Sequence, residues 1–335
     1  MNEIYNRDLV DKDRILNKKK SWRYCLALLF GMFLSVASFG QVSGYTFTQT
    51  SGTFTAVSGG TSLIAGGVDS GASPVTDIGF PFTFDGVSYT QFSASSNGWL
   101  RLGGTAASAY TSTPLSTSGA GPAIAFMARD GKTNGAVVYT LTGTAPNRVL
   151  TVEYPNHYIQ YNSLTNTLNA QIKLYETSNV VQIVYGFSAK ATSYTGQVGL
   201  VGTANTNFAT RTTTTNWSAT TAGAANNNTM TWSSTVGPSD GLTFTWTQPT
   251  CFIPTLTATT AISETTATIN WSAPSTAPSN GYNYEVRTSG AAGSGATGLV
   301  SSGAVAAGIV TKDITGLISA TSYSVYVQSN CGSGD

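Results

Sequence analysis

The sequence predicts an all-β protein, two tandem β-sandwich domains behind a cleaved signal peptide. Three observations lead there. After Gln41 the apolar residues recur at two-residue spacing between Gly, Asn, Asp and Pro breaks, and no stretch keeps a helical period. Charged residues are only 9% of the 335, with Ser, Thr, Gly and Asn in their place; Thr favours strands and Gly and Asn favour turns. A proline-flanked cysteine, "QPTCFIP", interrupts the pattern at 248–254, and a second, smaller β pattern follows. The division is residues 1–40, 41–248 and 249–335.

The first 40 residues read differently. Lys18, Lys19, Lys20 and Arg23 precede the apolar run "YCLALLFGMFLSVASFG", which ends in small residues. This is the build of a secretory signal peptide, with cleavage predicted between Gly40 and Gln41 and export to the cell surface or medium. The run is short for a membrane span and has no positive flank after it, so the mature chain is expected to lack one. The segment holds seven of the 16 Lys+Arg and four of the 15 Asp+Glu, leaving nine basic against eleven acidic residues. A mature chain near −2 with scattered charges offers no stripe for a phosphate backbone, which argues against a nucleic-acid partner.

The elements of the larger domain follow in order. In "FPFTFDGVSYTQFSASSNGWLRL", Phe80, Phe82 and Phe84 share a face, and Asp85-Gly86 and Asn97-Gly98 turn the chain, which predicts a three-stranded meander. "GPAIAFMA" is a short apolar strand. "GAVVYTLTG" and "NRVLTVEY" form one hairpin, and "LNAQIKLYE" and "NVVQIVYGF" form another across Thr177-Ser178-Asn179. "QVGLVG" and "GLTFTWTQP" finish the sheet. The polar stretch "TANTNFATRTTTTNWSATTAGAANNNT" between them is expected to be a surface excursion that packs no core.

Two resemblances sharpen this outline. "IPTLTATTAISETTATINWSAP", "GYNYEVRTS" and "DITGLISATSYSVYVQS" resemble a fibronectin type III domain. The resemblance implies a core tryptophan at Trp271 and a tyrosine corner at Leu317 and Tyr323. It also implies a last strand that should begin where the chain stops at "CGSGD", so strand F becomes an open edge and further modules are expected beyond Asp335. In that fold Cys251 and Cys331 fall at one pole of the sandwich, which predicts a disulfide, as an even cysteine pair in an exported chain also suggests.

The larger domain resembles the extracellular nidogen-type domain, through its Phe-rich strand, Ser-Asn-Gly hairpin, apolar strand ending in Asp, and closing hairpin around Glu176. It is also similar to the N-terminal β-modules of secreted and cell-surface proteins of the Bacteroidetes type, which carry fibronectin-like repeats.

Groups for catalysis are sparse. His157 is the only histidine, no Gly-x-Ser-x-Gly elbow is present, and two cysteines with one histidine leave zinc without a tetrahedral set. His157 is expected to be a partly exposed turn residue, and no cofactor is expected. Glu153, Glu176 and Asp130 are the only acids placed for glycosidase chemistry, and solvated turn roles suit them better. Asp130 and Asn134 in "DGKTNG" form a weak calcium candidate. The aromatics are the stronger candidates for ligand contact. Tyr154, Tyr158 and Tyr161 surround "YPNHYIQYN" with amides beside them, a composition suited to sugar stacking. If Leu100 and Leu102 point inward, Trp99 and Arg101 point outward as a cation–π couple. The expectation is a non-catalytic, secreted or cell-surface adhesion or structural protein whose partner is an extracellular protein or glycan. The alternative is a carbohydrate-binding accessory protein of a polysaccharide-degrading system.

Overall fold

A computed structural model describes residues 41–249, 251–274 and 277–332. The predicted signal peptide lies outside the described residues. The chain is all-β and divides into two compact units, with the break between Thr250 and Cys251. No helix of the described residues is long and apolar enough to cross a membrane.

The larger unit carries fifteen strands. They are β1 (Thr46–Ser51), β2 (Thr61–Ile64), β3 (Thr76–Phe84), β4 (Val87–Ser95), β5 (Trp99–Leu102), β6 (Ala123–Ala128), β7 (Val137–Thr142) and β8 (Val149–Tyr158). There follow β9 (Thr167–Tyr175), β10 (Val181–Ala189), β11 (Tyr194–Val201), β12 (Phe208–Thr212), β13 (Thr221–Ala222), β14 (Met230–Trp232) and β15 (Leu242–Thr247). One sheet runs β1-β15-β10-β9-β8-β7-β2 and the other β13-β12-β11-β6-β5-β4-β3, with β14 also paired to β11. The pairings within each sheet are antiparallel.

Alternation explains the core. Ile78, Phe80, Phe82 and Phe84 of β3 point inward, as do Leu150, Val152 and Tyr154 of β8, Leu168, Ala170, Ile172 and Leu174 of β9, and Val181, Ile183 and Tyr185 of β10. The Asp85-Gly86 turn takes positive φ at both residues (56° and 71°), the geometry that a right-twisted two-residue hairpin demands. The Asp85 carboxylate then accepts from the Thr203 amide (2.9 Å) and from the Asn207 side chain, which pins the turn to the loop after β11.

The polar excursion corrects its expectation. It supplies β12 and β13, and Trp217 within it is buried against Tyr185, Phe244 and Trp232. Its Nε1 donates to the Thr231 carbonyl at 2.7 Å. One indole inserted between the sheets anchors a segment whose composition shows no periodicity.

The smaller unit has six strands: β16 (Thr255–Leu256), β17 (Thr266–Ser272), β18 (Tyr282–Arg287), β19 (Leu299–Val305), β20 (Thr311–Thr315) and β21 (Ser324–Ser329). They form two sheets of three, β16-β17-β20 and β19-β18-β21. Ile269, Trp271, Tyr282, Tyr284, Val286, Val305 and Ile314 are its core. A disulfide joins Cys251 to Cys331 with Cα atoms 5.7 Å apart. The Tyr323 hydroxyl accepts from the Ile318 amide at 2.7 Å. A cavity of about 440 Å³ opens in this unit, lined by Ile262, Ile269, Ile314, Leu317, Tyr323 and Val325.

Candidate functional site

At one end of the larger unit the chain leaves β6 through Arg129–Gly135 and leaves β8 through Ile159–Asn166. The two segments are laced together. Lys132 and Tyr158 exchange amide-to-carbonyl bonds at 2.9 Å in both directions, and the Tyr161 amide donates to the Asp130 carbonyl at 2.9 Å. Three of the residues singled out from sequence, Asp130, Tyr158 and Tyr161, thus come to one place. Tyr161 is 41% exposed and Asp130 is exposed, while Tyr158 is half-buried.

Arg129 organises this surface. Its Nε donates to the Gln160 side chain at 2.7 Å, its Nη1 to the Thr195 carbonyl at 2.8 Å, and its guanidinium lies 4.5 Å from the Tyr194 ring centroid. Partial burial lowers its pKa from the usual guanidinium range, against the opposing pull of Tyr194 and Asp130. The result is a planar cation on a tyrosine face, beside an exposed tyrosine and an exposed carboxylate. Sequence reading missed Arg129, Gln160 and Tyr194, which lie on separate segments and carry no local signal. Asn134 is exposed on the same loop as Asp130. Among the described residues no group of three or more His, Cys, Asp or Glu side chains is placed to hold a metal ion.

Two expected contact residues are interior instead. Leu100 and Leu102 do point inward and Trp99 points to the other face, but the segment from Gly103 to Pro122 lies over that face. Trp99 is fully buried with Ala107, Leu115, Ala123, Ala125 and Val201, and its Nε1 donates to the Thr111 carbonyl at 2.9 Å. The uncharged, Ala- and Gly-rich make-up of that segment was the available sign of a cover. Arg101 is half-buried opposite Ser93 and Ala123, and no cation–π contact joins it to Trp99. Tyr154 is fully buried, with its hydroxyl donating to the Trp99 carbonyl at 3.0 Å. That burial pushes its pKa well above the ordinary tyrosine value.

His157 is likewise not a turn residue. Its ring is 1% exposed, edge-on to Phe126 and Tyr154, and neither ring nitrogen has a hydrogen-bond partner. The cause is a bulge. The β8–β9 register passes from Tyr154↔Ala170 to His157↔Leu168, so one extra residue at Pro155–Asn156 returns His157 to the core face. Asn156 adopts φ 47°, a left-handed value that Asn tolerates. Desolvation alone lowers the imidazole pKa to about 3.

The paired acids are engaged and apart. The Glu153 carboxylate, buried in β8, accepts from the Val57 amide and from the Gln171 side chain, each at 2.7 Å. Glu176 pairs with Arg148 at 2.5 Å, and that hydrogen bond lowers its pKa from the usual carboxylate value. Its amide bonds the Arg148 carbonyl, five positions along β8 from Glu153. At the usual rise that is about 16 Å along the strand, beyond the ~5–9.5 Å between the carboxyls of a glycosidase pair.

With sandwich and site in view, comparison adds one decisive match. The family model described as NIDO related matches residues 44–249, more than half of the chain. The chain belongs to the nidogen-related family. No curated protein and no solved structure matches it. The nidogen-related domain spans nearly the whole larger unit, so the laced loops around Arg129 and Tyr161 belong to it, and so do all the acids considered for chemistry.

Proposed function

We propose that this nidogen-related chain is a secreted or cell-surface protein that acts without catalysis, through its β-sandwich modules, in adhesion or matrix assembly. One observation carries the reading: two of the three acids considered for hydrolysis, Glu153 and Glu176, are held in structural pairings, whereas the exposed end of the larger unit presents aromatic and polar side chains with Asp130 alone among them. Glu153 fixes a crossing segment and Glu176 a guanidinium. Tyr161, the Arg129–Tyr194 stack and Asp130 form a surface suited to contact. The smaller unit supports the fibronectin type III assignment through its two three-stranded sheets, its buried Trp271 and its Tyr323 hydroxyl bond to the backbone. Carbohydrate attachment is the second reading, favoured by the exposed tyrosine beside Gln160 and Asn162.

Beads coated with the full chain test the proposal against immobilised extracellular matrix proteins and polysaccharides. Adhesion to at least one surface is expected, reduced tenfold or more by Tyr161→Ala and Arg129→Ala together. Release of new reducing ends or of cleaved peptide during incubation would overturn the non-catalytic reading.

A further inference from the structure

β8 and β10 each carry one residue too many where they flank β9. On one side the register passes from Tyr154↔Ala170 to His157↔Leu168, and on the other from Tyr185↔Ala170 to Ser188↔Leu168. Pro155–Asn156 and Gly186–Phe187 therefore bulge from opposite sides against the single residue Asn169. Its side chain serves both: Oδ1 accepts from the Asn156 amide at 2.9 Å, and Nδ2 donates to the Phe187 carbonyl at 3.0 Å and toward the Asn156 Oδ1 at 3.4 Å. Gly186 leaves room that other residues would fill, since a Cβ there would meet the Phe54 ring at 2.8 Å and Asn169 at 2.9 Å. Phe54 thus packs against the same spot.

The bulge decides where Phe187 points. Plain alternation would bury it with Ile183 and Tyr185, yet Phe187 is 66% exposed. Bulges commonly re-aim a side chain in this way, and an aromatic held outward by two of them is not an accidental surface residue. Asn156 lies exposed beside it and Asn169 half-buried. Neither Tyr154–Gln171 nor Val180–Ala189 contains an Asp, Glu, Lys or Arg.

We propose that this double bulge is a binding site for a neutral sugar ring, with the apolar face of the pyranose on Phe187 and its hydroxyls on the Asn156 amide. An apolar ring face beside an amide that both donates and accepts matches a sugar, which is apolar on one face and hydroxylated at its rim. No charge lies on the bulged residues themselves, and the exposed carboxylate of Asp240, next to Gly241 whose amide donates to the Tyr185 carbonyl, repels an acidic polysaccharide and so favours a neutral one. The inference rests on the reading of this unit as a non-catalytic contact module, and it names the partner's class.

The test titrates the full chain with gluco-, xylo- and mannohexaose, β-1,4-linked, and with hexagalacturonate, by calorimetry. Binding of at least one neutral hexaose is expected, weakened tenfold or more by Phe187→Ala, retained in Phe187→Trp, and undetectable for the galacturonate. Asn156→Gly keeps the left-handed backbone and removes the amide, so it should weaken binding while leaving the melting temperature within about a degree. Overturning results are no binding of any neutral hexaose, equal affinity in Phe187→Ala, or preference for the acidic sugar. Bead adhesion that persists while no neutral hexaose binds in calorimetry would sink the sugar site and leave the adhesion reading standing.

Discussion

His157 makes acid stability a direct consequence of the bulge in β8. Its imidazole is enclosed by Phe126, Tyr154 and the backbone of Gly131, so the folded protein holds it neutral down to about pH 3. In the unfolded chain it protonates near pH 6.5. The unfolded state therefore binds the extra proton between these values, and stability falls as pH drops through that window. Above pH 6.5 the effect vanishes; below about 3 it is complete. At 1.36 kcal/mol per unit of separation, the full loss is on the order of 5 kcal/mol, of which about 2.7 is lost by pH 4.5. His157→Leu removes the titrating group, and no hydrogen bond is lost because neither nitrogen makes one. The assay is urea unfolding of both proteins from pH 7.5 to 4, followed by near-ultraviolet dichroism, to which Trp99, Trp217, Trp232 and Trp246 of the larger unit contribute. The difference between variant and parent should grow in favour of the variant as pH falls. Parallel curves, with a constant difference from pH 7.5 to 4, would refute the reasoning, because the carboxylates titrate equally in both.

Three further outcomes follow from the packing. Trp99→Ala should cost about 3–5 kcal/mol as a core truncation, read as a lower melting temperature of the larger unit rather than a selective loss of ligand. Glu153→Ala should cost about 1–3 kcal/mol by leaving the Val57 amide unpaired and removing one of the two acceptors of Gln171 Nε2, the Thr55 carbonyl remaining; it should also loosen the Gly52–Gly60 crossing, read as faster chymotryptic cleavage at Phe54. Reduction of Cys251–Cys331, which closes 80 residues, should destabilise the smaller unit by roughly 4 kcal/mol in the chain-entropy account. The larger unit's transition should stay where it was.

How legible was all this? The meander was readable because Phe80, Phe82 and Phe84 alternate along β3 and because a glycine at positive φ, Gly86 and then Gly98, stands at each of its two turns. The two later hairpins, β7–β8 and β9–β10, were readable for the same reason. The disulfide followed from the place of two cysteines in a sandwich of known layout. The site was less legible. Asp130, Tyr158 and Tyr161 do gather, but Tyr154 is interior, and Trp99 lost its exposure to a covering segment that alternation cannot reveal. Arg129 and Tyr194 meet only through tertiary contact.

Composition and two-residue periodicity alone determined that this chain forms strands and layers, because which residues can alternate is a local property. Which face a given side chain takes beyond a bulge was decided by the tertiary structure. One inserted residue inverts the alternation for everything after it, burying His157 and exposing Phe187. That choice rests on Asn169, which satisfies the backbone of both bulges from a neighbouring strand that the sequence places more than ten residues away.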